Sequence, residues 1–402
     1  MDAEGPSVTA QEPYVALALS GGGSRAIAFH LGCLRALNDL GILQNTRVMS
    51  TVSGGSVIGA LYAYGEHATF EEFDANVVSL LRRGLQWRIL RTALLSPELP
   101  KIVATLVING GMSVLTALIR SVLGLLRWAL GWSFKPVLNR LTNLEENLPF
   151  WGSLTTAFEI MLTRELFGET RMKDVRIAPL EIVINACDLR TGTAFRFGSK
   201  RSGGWRYGLV LDGGTLSVAK AVAASAAFPA LLPPLIETFH FMQRGHIQRH
   251  TLVLSDGGVY DNLGLSVVEP NRDPTFSVNV HKPTHIISLS AGPGQFPIGG
   301  KTVWLAGRLT RSFDAIHRKS QDAAYRRLHE YAASGALKGF ALIYLGQNDA
   351  SLPLQPPDLI RREAVRDYPT DFAAMTLRDI DLLTGRGEQL TRLLVSRYMP
   401  DL

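Results

Sequence analysis

The chain has 402 residues, of which 46% are hydrophobic and 19% charged, so it can bury a large core and is neither a disordered tail nor a fibre. Its two cysteines exclude a disulfide framework and a Cys-rich zinc module. The formal net charge of +6 is too small over this length to indicate nucleic-acid binding.

Two strand–turn–helix units are predicted at the start of the chain. Apolar residues over 14–19 predict a strand that ends in a glycine turn, and apolar residues at helical spacing over 24–40 predict a helix. The pattern repeats as a strand at 47–52, a Ser-Gly-Gly turn and a helix through Tyr64. The N-terminus has no basic start followed by an apolar run, so no secretory signal is predicted and a cytoplasmic location is expected.

Residues 66–166 are predicted to form a helical insertion that differs in charge from the rest of the chain. Positions 81–140 hold nine basic residues and one acid, Glu98, a local balance of +8. Because the whole chain sums to +6, this segment carries more than the entire surplus. A basic segment of this kind is suited to an anionic lipid surface, so a peripheral membrane location is left open.

The most apolar part of the insertion is the stretch 102–132. It carries Arg120 and Arg127 and is interrupted by Asn-Gly-Gly at 109–111, which disfavours a membrane span. Small and basic residues fall on one helical stripe of this stretch, and apolar residues fill the remainder. Two interpretations stay open: a helix at a bilayer interface, or a hydrophobic helix buried in the protein.

The rest of the chain continues to alternate between strands and helices. The predicted strands are 180–186, 193–197, 251–255, 285–289 and 340–345, and the predicted helices are 217–228, 303–333 and two polar helices that close the chain. This alternation predicts an α/β fold with a central, mainly parallel sheet covered on both faces. Such sheets bind ligands at the carboxyl ends of their strands.

Ser53 is a candidate nucleophile. It follows a predicted strand and precedes a helix, and a serine on such a sharp turn holds its hydroxyl out, with Gly54 and Gly55 where the chain doubles back. The usual elbow reads Gly-x-Ser-x-Gly, whereas Thr51 stands here at the first glycine position. On these residues alone, a plain Ser-Gly-Gly turn is the alternative.

Gly21, Gly22 and Gly23 form a second candidate element. Glycines leave backbone N–H groups unshielded, and a helix N-terminus favours negative charge, so this loop suits an oxyanion. A dinucleotide phosphate is disfavoured because the Gly-x-Gly-x-x-Gly pattern ends in Ala26 and no acidic residue closes the second strand. A tight turn without a ligand is the other interpretation.

A carboxylate follows a later strand in a similar manner. Asp256 comes directly after the predicted strand 251–255 and can face a nucleophile across the same end of the sheet. The same Asp-Gly-Gly tripeptide also occurs at Asp212. The tripeptide alone therefore does not choose between the two aspartates.

These segments, in this order, resemble the patatin-like phospholipase family. The similar segments are 19–25 (its oxyanion loop), 53–55 (its nucleophile elbow), 187–192 (a turn), 223–229 (the end of its core helix) and 256–262 (its catalytic aspartate loop). The resemblance spans about 14–264 and fades beyond. It implies a three-layer α/β/α catalytic domain at 14–345, between an N-terminal tail at 1–13 and a helical closure at 346–402.

The resemblance also implies a chemistry: hydrolysis of acyl esters in phospholipids or lysophospholipids by a Ser-Asp dyad without histidine. Asp256 follows the core helix, as the family's aspartate does, whereas Asp212 precedes it. The implied dyad is therefore Ser53 and Asp256, and no metal or cofactor is required. The implied oxyanion hole comprises the N–H groups of Gly21, Gly22 and Gly23, with support from Arg25, Gly54, Gly55, Gly257 and Gly258.

Two alternatives stay open. One is a lipid-surface binding protein with an impaired active site, suggested by Thr51 and by the amphipathic insertion. The other is a serine esterase whose triad adds His281 or His285, both of which follow Asp256. His30, on the helix after the glycine loop, is predicted to pack beneath the site. The expected partner is a lipid or membrane surface and not nucleic acid.

Overall fold

The structure, a computed structural model, describes residues 13–229, 231–294 and 304–402. Apart from Pro13, the predicted N-terminal tail lies outside the described residues. A mixed ten-stranded sheet forms the centre. Five adjacent strands run parallel, in the order β10-β9-β1-β2-β3: β1 (Val15–Leu19), β2 (Thr46–Val52), β3 (Glu181–Asp188), β9 (His285–Ser290) and β10 (Gly339–Tyr344).

The other five strands pair antiparallel: β4 (Thr193–Gly198), β5 (Gly203–Gly204), β6 (Gly208–Val210), β7 (Leu235–Gln243) and β8 (His246–Asp256). The parallel part agrees with the prediction. The chain between β3 and β9 returns through hairpins, which need no crossover helix, so this part is antiparallel. Strands β5, β6, β7 and the first half of β8 were not predicted, although polar and apolar residues alternate along β7 with the period of a half-buried strand.

Strand β3 brings the ends of two other strands together. One of its edges is taken by β4. On the other edge, β2 pairs in parallel as far as Val52, opposite Asn185, and β8 arrives antiparallel and ends at Asp256, opposite Ala186. Because Asn185 and Ala186 are consecutive, β2 and β8 meet end to end. The register of the sheet therefore places the residue after Val52 next to Asp256.

Helices cover both faces of this sheet. Their bounds are α1 (Gly23–Asp39), α2 (Gly54–Tyr64), α3 (Phe70–Arg83), α4 (Gln86–Leu95), α5 (Leu99–Leu130), α6 (Lys135–Glu146), α7 (Leu154–Leu162), α8 (Val218–Ser225), α9 (Gly258–Asp261), α10 (Leu265–Val268), α11 (Leu305–Ala333) and α12 (Leu377–Tyr398). Leu17 and Leu19 of β1 pack in one core with α1, α2 and α12, whereas Ala16 and Ala18 pack with α10 and α11. This alternation confirms the three-layer α/β/α fold.

Helices α3 to α7 occupy the insertion, and α5 corrects one prediction. It runs without a break for 32 residues through the predicted interruption at 109–111. Two glycines in a helix cost roughly 1 kcal/mol each, which the long flanking apolar segments and the absence of an internal proline offset. In the described part of the chain, α5 is the one helix long and apolar enough to cross a membrane, by length and composition.

Two residues of the basic stripe of α5, Thr116 and Arg120, contact α6. Arg120 Nη2 lies 2.7 Å from Glu145 Oε2, and the Thr116 hydroxyl also contacts Glu145. Most of α5 is exposed, and its exposed apolar side chains are Val103, Leu106, Val107, Ile108, Val114, Leu115, Leu118, Val122, Leu125, Leu126, Trp128 and Leu130. The interpretation of α5 as a buried core helix is wrong. Arg127 is exposed, and its side chain makes no hydrogen bond or ion pair in the described part of the chain.

The C-terminal region also differs from the prediction of two polar helices. One long helix, α12, packs on α1, and it follows a segment of short turns at 346–376. This segment contains four prolines, which remove backbone donors and disfavour helical conformation in the residue before them. The segment crosses the molecule to the start of α1.

Candidate active site

Ser53 lies on a sharp turn between β2 and α2. Its backbone has φ 52° and ψ −120°, a conformation that costs free energy for a residue with a Cβ. The side chain of Thr51, the departure from the usual elbow, fits because Gly59 leaves room for it: a Cβ at Gly59 would come within 2.6 Å of Thr51 Cγ2. The elbow is therefore formed in this chain despite the missing first glycine.

The hydroxyl of Ser225, at the end of α8, holds this elbow in place. Its oxygen accepts a hydrogen bond from the Ser53 N–H at 3.0 Å, and the hydroxyl donates to the Asn185 carbonyl at 2.6 Å. Ser56 Oγ lies 2.8 Å away. Sequence reasoning missed this residue, although a lone hydroxyl among alanines was a visible signal.

Replacing Ser225 with alanine is expected to lower stability by about 1–3 kcal/mol, because the buried Ser53 N–H and Asn185 carbonyl lose their partner. Turnover is expected to fall about tenfold as the elbow relaxes. Urea unfolding and ester hydrolysis measure the two effects. Ser202→Ala is the control. The Ser202 hydroxyl is also buried, but it makes hydrogen bonds only with Gly198 and Gly213, away from the elbow. Unchanged turnover in the Ser225 variant would show that the elbow keeps its conformation without the Ser225 hydroxyl.

Asp256 lies beside Ser53, as the β3 register requires. Both residues line the same cavity, and Asp256 Oδ1 accepts the Gly258 N–H at 2.7 Å. Burial raises the pKa of Asp256 to about 6, against the opposing effects of the nearby Ser53 hydroxyl and of the Gly258 N–H. A carboxylate with this pKa is ionised at neutral pH and still binds a proton far better than an ordinary aspartate, which suits a general base.

Backbone contacts fix the direction of the Asp256 carboxylate. The Asp256 N–H donates to the Ala227 carbonyl at 2.9 Å, and the Gly257 N–H donates to the Ser225 carbonyl at 3.2 Å. A Cβ at Gly257 would contact the backbone of Asn185. The segment after α8 and the Asp-Gly-Gly turn therefore pack backbone to backbone.

The glycine loop lies at the N-terminus of α1, and it corrects the predicted oxyanion hole. The Gly21 N–H donates to the Asn262 carbonyl at 3.2 Å, so it is already occupied. In the described part of the chain, the N–H groups of Gly22 and Gly23 have no protein acceptor, and both residues line the same cavity as Ser53. Of the three predicted donors, the Gly21 N–H is thus engaged by the protein, and those of Gly22 and Gly23 are free to meet a ligand.

Two glycines permit the close packing of this loop against the elbow. A Cβ at Gly54 would contact the Gly23 carbonyl oxygen, and a Cβ at Gly23 would contact the carbonyl of Asp371. Gly23 also has φ 57°, which disfavours other residues. The same crowding surrounds Gly55, where a Cβ would lie 2.5 Å from the Leu19 carbonyl oxygen.

The C-terminal segment covers the start of α1. The Ser24 N–H donates to the Asp371 carbonyl at 2.7 Å, and Arg25 Nη1 donates to the Tyr368 carbonyl at 2.7 Å. Arg25 is buried, and burial lowers the pKa of its guanidinium to about 10. Sequence reasoning missed this segment, because its contacts span more than 340 residues and it carries no motif.

Neither His281 nor His285 completes a triad. His285 begins β9 and pairs with Val15, and His281 Nδ1 lies 3.1 Å from the Tyr14 hydroxyl, so both lie at the amino ends of the parallel strands. Ser53 follows the carboxyl end of β2. The triad through His281 or His285 is therefore contradicted. His30 is buried beneath the glycine loop with Nε2 3.0 Å from the Ser20 carbonyl, as predicted.

Asp212 lies apart from this site. It has φ 54° and begins a short helical turn, Gly213–Thr215, that packs near Ser202. Its carbonyl accepts hydrogen bonds from Thr215, and it does not line the cavity that holds Ser53. The structure thus brings Asp256 and not Asp212 to the serine.

Ser53 and Asp256 open into a cavity of about 530 Å³, a volume within the range of small-molecule sites. Apolar side chains from several elements line much of it, including Phe228, Leu231, Phe313 and Phe372. Its other walls come from the glycine loop, from α11, from the ends of β9 and β10 and from the C-terminal segment. The arrangement combines a serine, a buried carboxylate with a raised pKa and free backbone donors at one end of an apolar chamber.

A sequence model of the patatin-like phospholipase family matches residues 17–268. The chain belongs to this family. Membership supports the activity of a lipid ester hydrolase. The match includes the glycine loop, the elbow, the end of α8 and the Asp256 turn, whereas α11 and the C-terminal segment that also line the cavity lie beyond it. No curated protein matches the chain.

Several solved structures are similar in fold. VipD from Legionella pneumophila is 15% identical with a TM-score of 0.41, over 96% of this chain and 67% of VipD. Human GIVD cytosolic phospholipase A2 is 14% identical with a TM-score of 0.47, over 95% and 61%. The type III effector ExoU from Pseudomonas aeruginosa is 14% identical with a TM-score of 0.34, over 96% and 53%. The chain spans between about half and two thirds of the length of these proteins.

Proposed function

We propose that this patatin-like protein hydrolyses the carboxylic esters of phospholipids or lysophospholipids through a Ser53–Asp256 dyad. The observation that carries the proposal is the meeting of β2 and β8 on β3, which places Ser53 beside the buried Asp256 carboxylate in one cavity. The N–H groups of Gly22 and Gly23, which have no acceptor among the described residues, lie on the same cavity. An apolar chamber suits an acyl chain, and the donors suit a tetrahedral oxyanion.

The proposed reaction has two stages. Asp256 takes the hydroxyl proton of Ser53 as Oγ bonds to the carbonyl carbon, and the N–H groups of Gly22 and Gly23 hold the resulting oxyanion. The intermediate collapses, the C–O bond to the leaving alcohol breaks, and that alcohol takes the proton from Asp256. Asp256 then takes a proton from a water molecule as its oxygen bonds to the acyl carbon. The bond between that carbon and Ser53 Oγ breaks, Oγ takes the proton from Asp256, and the fatty acid is released.

A panel of lipids tests the substrate class. Fatty-acid release from diacyl phospholipids or lysophospholipids, presented with a soluble short-chain ester and a triacylglycerol as comparisons, is the expected result. Labelling of Ser53 by a fluorophosphonate probe is expected as well. A protein that binds lipid but neither turns over any ester nor reacts with the probe would instead be a catalytically impaired lipid-binding protein.

We further propose that the protein acts in the cytoplasm, at a membrane surface to which the α5 apolar face binds. We define this face as the exposed apolar side chains of α5 given above. The face projects from the insertion with no cover from the rest of the described chain, and the surrounding segment carries the basic surplus. Apolar area together with basic residues favours an anionic bilayer interface.

Replacing Leu118, Leu125 and Trp128 together with glutamine is expected to weaken binding to anionic vesicles by about 100-fold, at roughly 1 kcal/mol lost per side chain. Because these side chains are exposed, hydrolysis of a soluble short-chain ester is expected to change less than about twofold. Vesicle sedimentation and an ester assay measure the two properties.

The two arginines of α5 serve as contrasting variants. Arg127→Glu is expected to weaken anionic vesicle binding without a change in melting temperature, since this side chain has no partner to lose. Arg120→Glu breaks the ion pair with Glu145 and is expected to destabilise the α5–α6 hairpin as well. Full vesicle binding by the triple glutamine variant would show that the α5 apolar face does not bind the bilayer.

A further inference from the structure

Helix α11 presents polar side chains to the cavity that holds Ser53. Asp314, His317, Arg318 and Gln321 all line this cavity. Their spacing of i, i+3, i+4 and i+7 places them on one face of the helix, which we call the α11 polar face. A row of polar groups in an otherwise largely apolar chamber is the usual device for fixing the orientation of a ligand.

The polar atoms of this face are mostly without partners. In the region that the structure describes, neither the Asp314 carboxylate nor the Gln321 amide makes a hydrogen bond, and the His317 imidazole makes only a ring contact with Phe313 at 5.8 Å. Arg318 Nε lies 3.1 Å from Asp322 Oδ1, and its two terminal nitrogens are unbonded. These groups are therefore available to a ligand in the cavity.

The charges of the face are mixed and ordered along the helix. The Asp314 carboxylate and the Arg318 guanidinium are one turn apart, with His317 between them. Burial holds the pKa of His317 below its ordinary value, against the opposing effect of Asp261 and Asp314, so the imidazole is neutral at pH 7 and can donate one hydrogen bond. A purely anionic ligand would satisfy Arg318 and be repelled by Asp314.

We propose that the α11 polar face binds the head group of a zwitterionic phospholipid, with its phosphate beside Arg318 and its ammonium beside Asp314. The aromatic ring of Phe313, which also lines the cavity, offers a further surface to the ammonium. This inference rests on the proposed function, since it assigns a substrate class to the cavity in which Ser53 would attack the acyl ester. It adds a residue set that lies beyond the family match at 17–268.

Binding to the full-length Ser53→Ala protein separates recognition from turnover. Isothermal calorimetry with dihexanoylphosphatidylcholine and dihexanoylphosphatidylglycerol, both below their micellar concentrations, is the test. The zwitterionic lipid is expected to bind about tenfold more tightly. Adding Asp314→Asn or Arg318→Gln is expected to weaken its binding about tenfold each, the usual size of one charge-assisted contact. His317→Gln, which keeps a neutral donor, is expected to cost less.

Lys319→Gln and Glu330→Gln are the matched controls, since both residues are exposed on α11 and lie outside the cavity. Equal affinity for the two lipids, tighter binding of phosphatidylglycerol, or equal losses in the controls would overturn the inference. Wild-type protein that releases no fatty acid, combined with the expected binding pattern, would overturn the proposed function and leave the head-group site standing.

Discussion

Replacing Ser53 with alanine is expected to abolish ester hydrolysis, with a fall in turnover of at least about 10³-fold, because no other group supplies the attacking oxygen. The melting temperature is expected to stay within a few degrees of wild type. Alanine keeps the Ser53 N–H bond to Ser225 and loses only the hydroxyl contact with Asp256. Fatty-acid release and thermal unfolding are the measurements.

A second variant at the same position isolates the backbone strain. Ser53→Gly is expected to be equally inactive but more stable than Ser53→Ala by about 1 kcal/mol, since φ 52° with ψ −120° carries a steric cost only for a residue with a Cβ. Ser290→Ala is the control, because Ser290 lines the same cavity and is expected to be dispensable for bond cleavage. Near-normal hydrolysis by Ser53→Ala would assign the nucleophile to another serine.

Asp256→Asn is expected to reduce turnover about as strongly as the loss of the serine, because an amide cannot accept the hydroxyl proton. In the wild type, hydrolysis is expected to rise with pH through about 6, where Asp256 ionises. Asp212→Asn should leave turnover within about threefold of wild type. A severe loss in the Asp212 variant, or a rate independent of pH between 5 and 7, would contradict the assignment of the base.

The same variant has an expected effect on stability whose sign follows from the raised pKa. The folded protein binds a proton at Asp256 more tightly than the unfolded chain does, so this group's stabilising contribution is present below about pH 4 and is lost as pH rises through about 6. Asparagine does not titrate. Asp256→Asn is therefore expected to raise the melting temperature at pH 8 and to change it little at pH 4.

The short motifs of this chain reveal their local structure because their physical causes are local. A run of apolar residues before the glycines at 21–23 and before Ser53 predicts two strand–turn–helix units, which the structure confirms. The order of Ser53, the core helix and Asp256 carries the resemblance to the family that the chain belongs to. Thr51, which stands where the usual elbow has glycine, is accommodated by a residue nearby in sequence, because Gly59 has no side chain.

Exposure is a property that local pattern does not decide. An apolar helix with a basic stripe has the same sequence pattern whether its apolar side packs against a core or faces solvent. In the structure, Thr116 and Arg120 contact Glu145 of α6, and the apolar side chains of α5 are left exposed. The prediction of a helix break at 109–111 was wrong. The cost of about 1 kcal/mol per glycine in a helix is small compared with the stabilisation from the long flanking helical segments.

By itself, then, the sequence determined the three-layer fold and the chemical identity of the site residues. Periodicity and turn residues are local patterns, and the order of the motifs along the chain is visible in the sequence. The tertiary structure alone decided which of these residues meet. The end-to-end arrival of β2 and β8 on β3 sets Asp256 beside Ser53, and the contact of Asn262 with Gly21 leaves Gly22 and Gly23 as the available donors. These contacts join residues more than 200 positions apart, and only the packing of the whole chain brings such residues together.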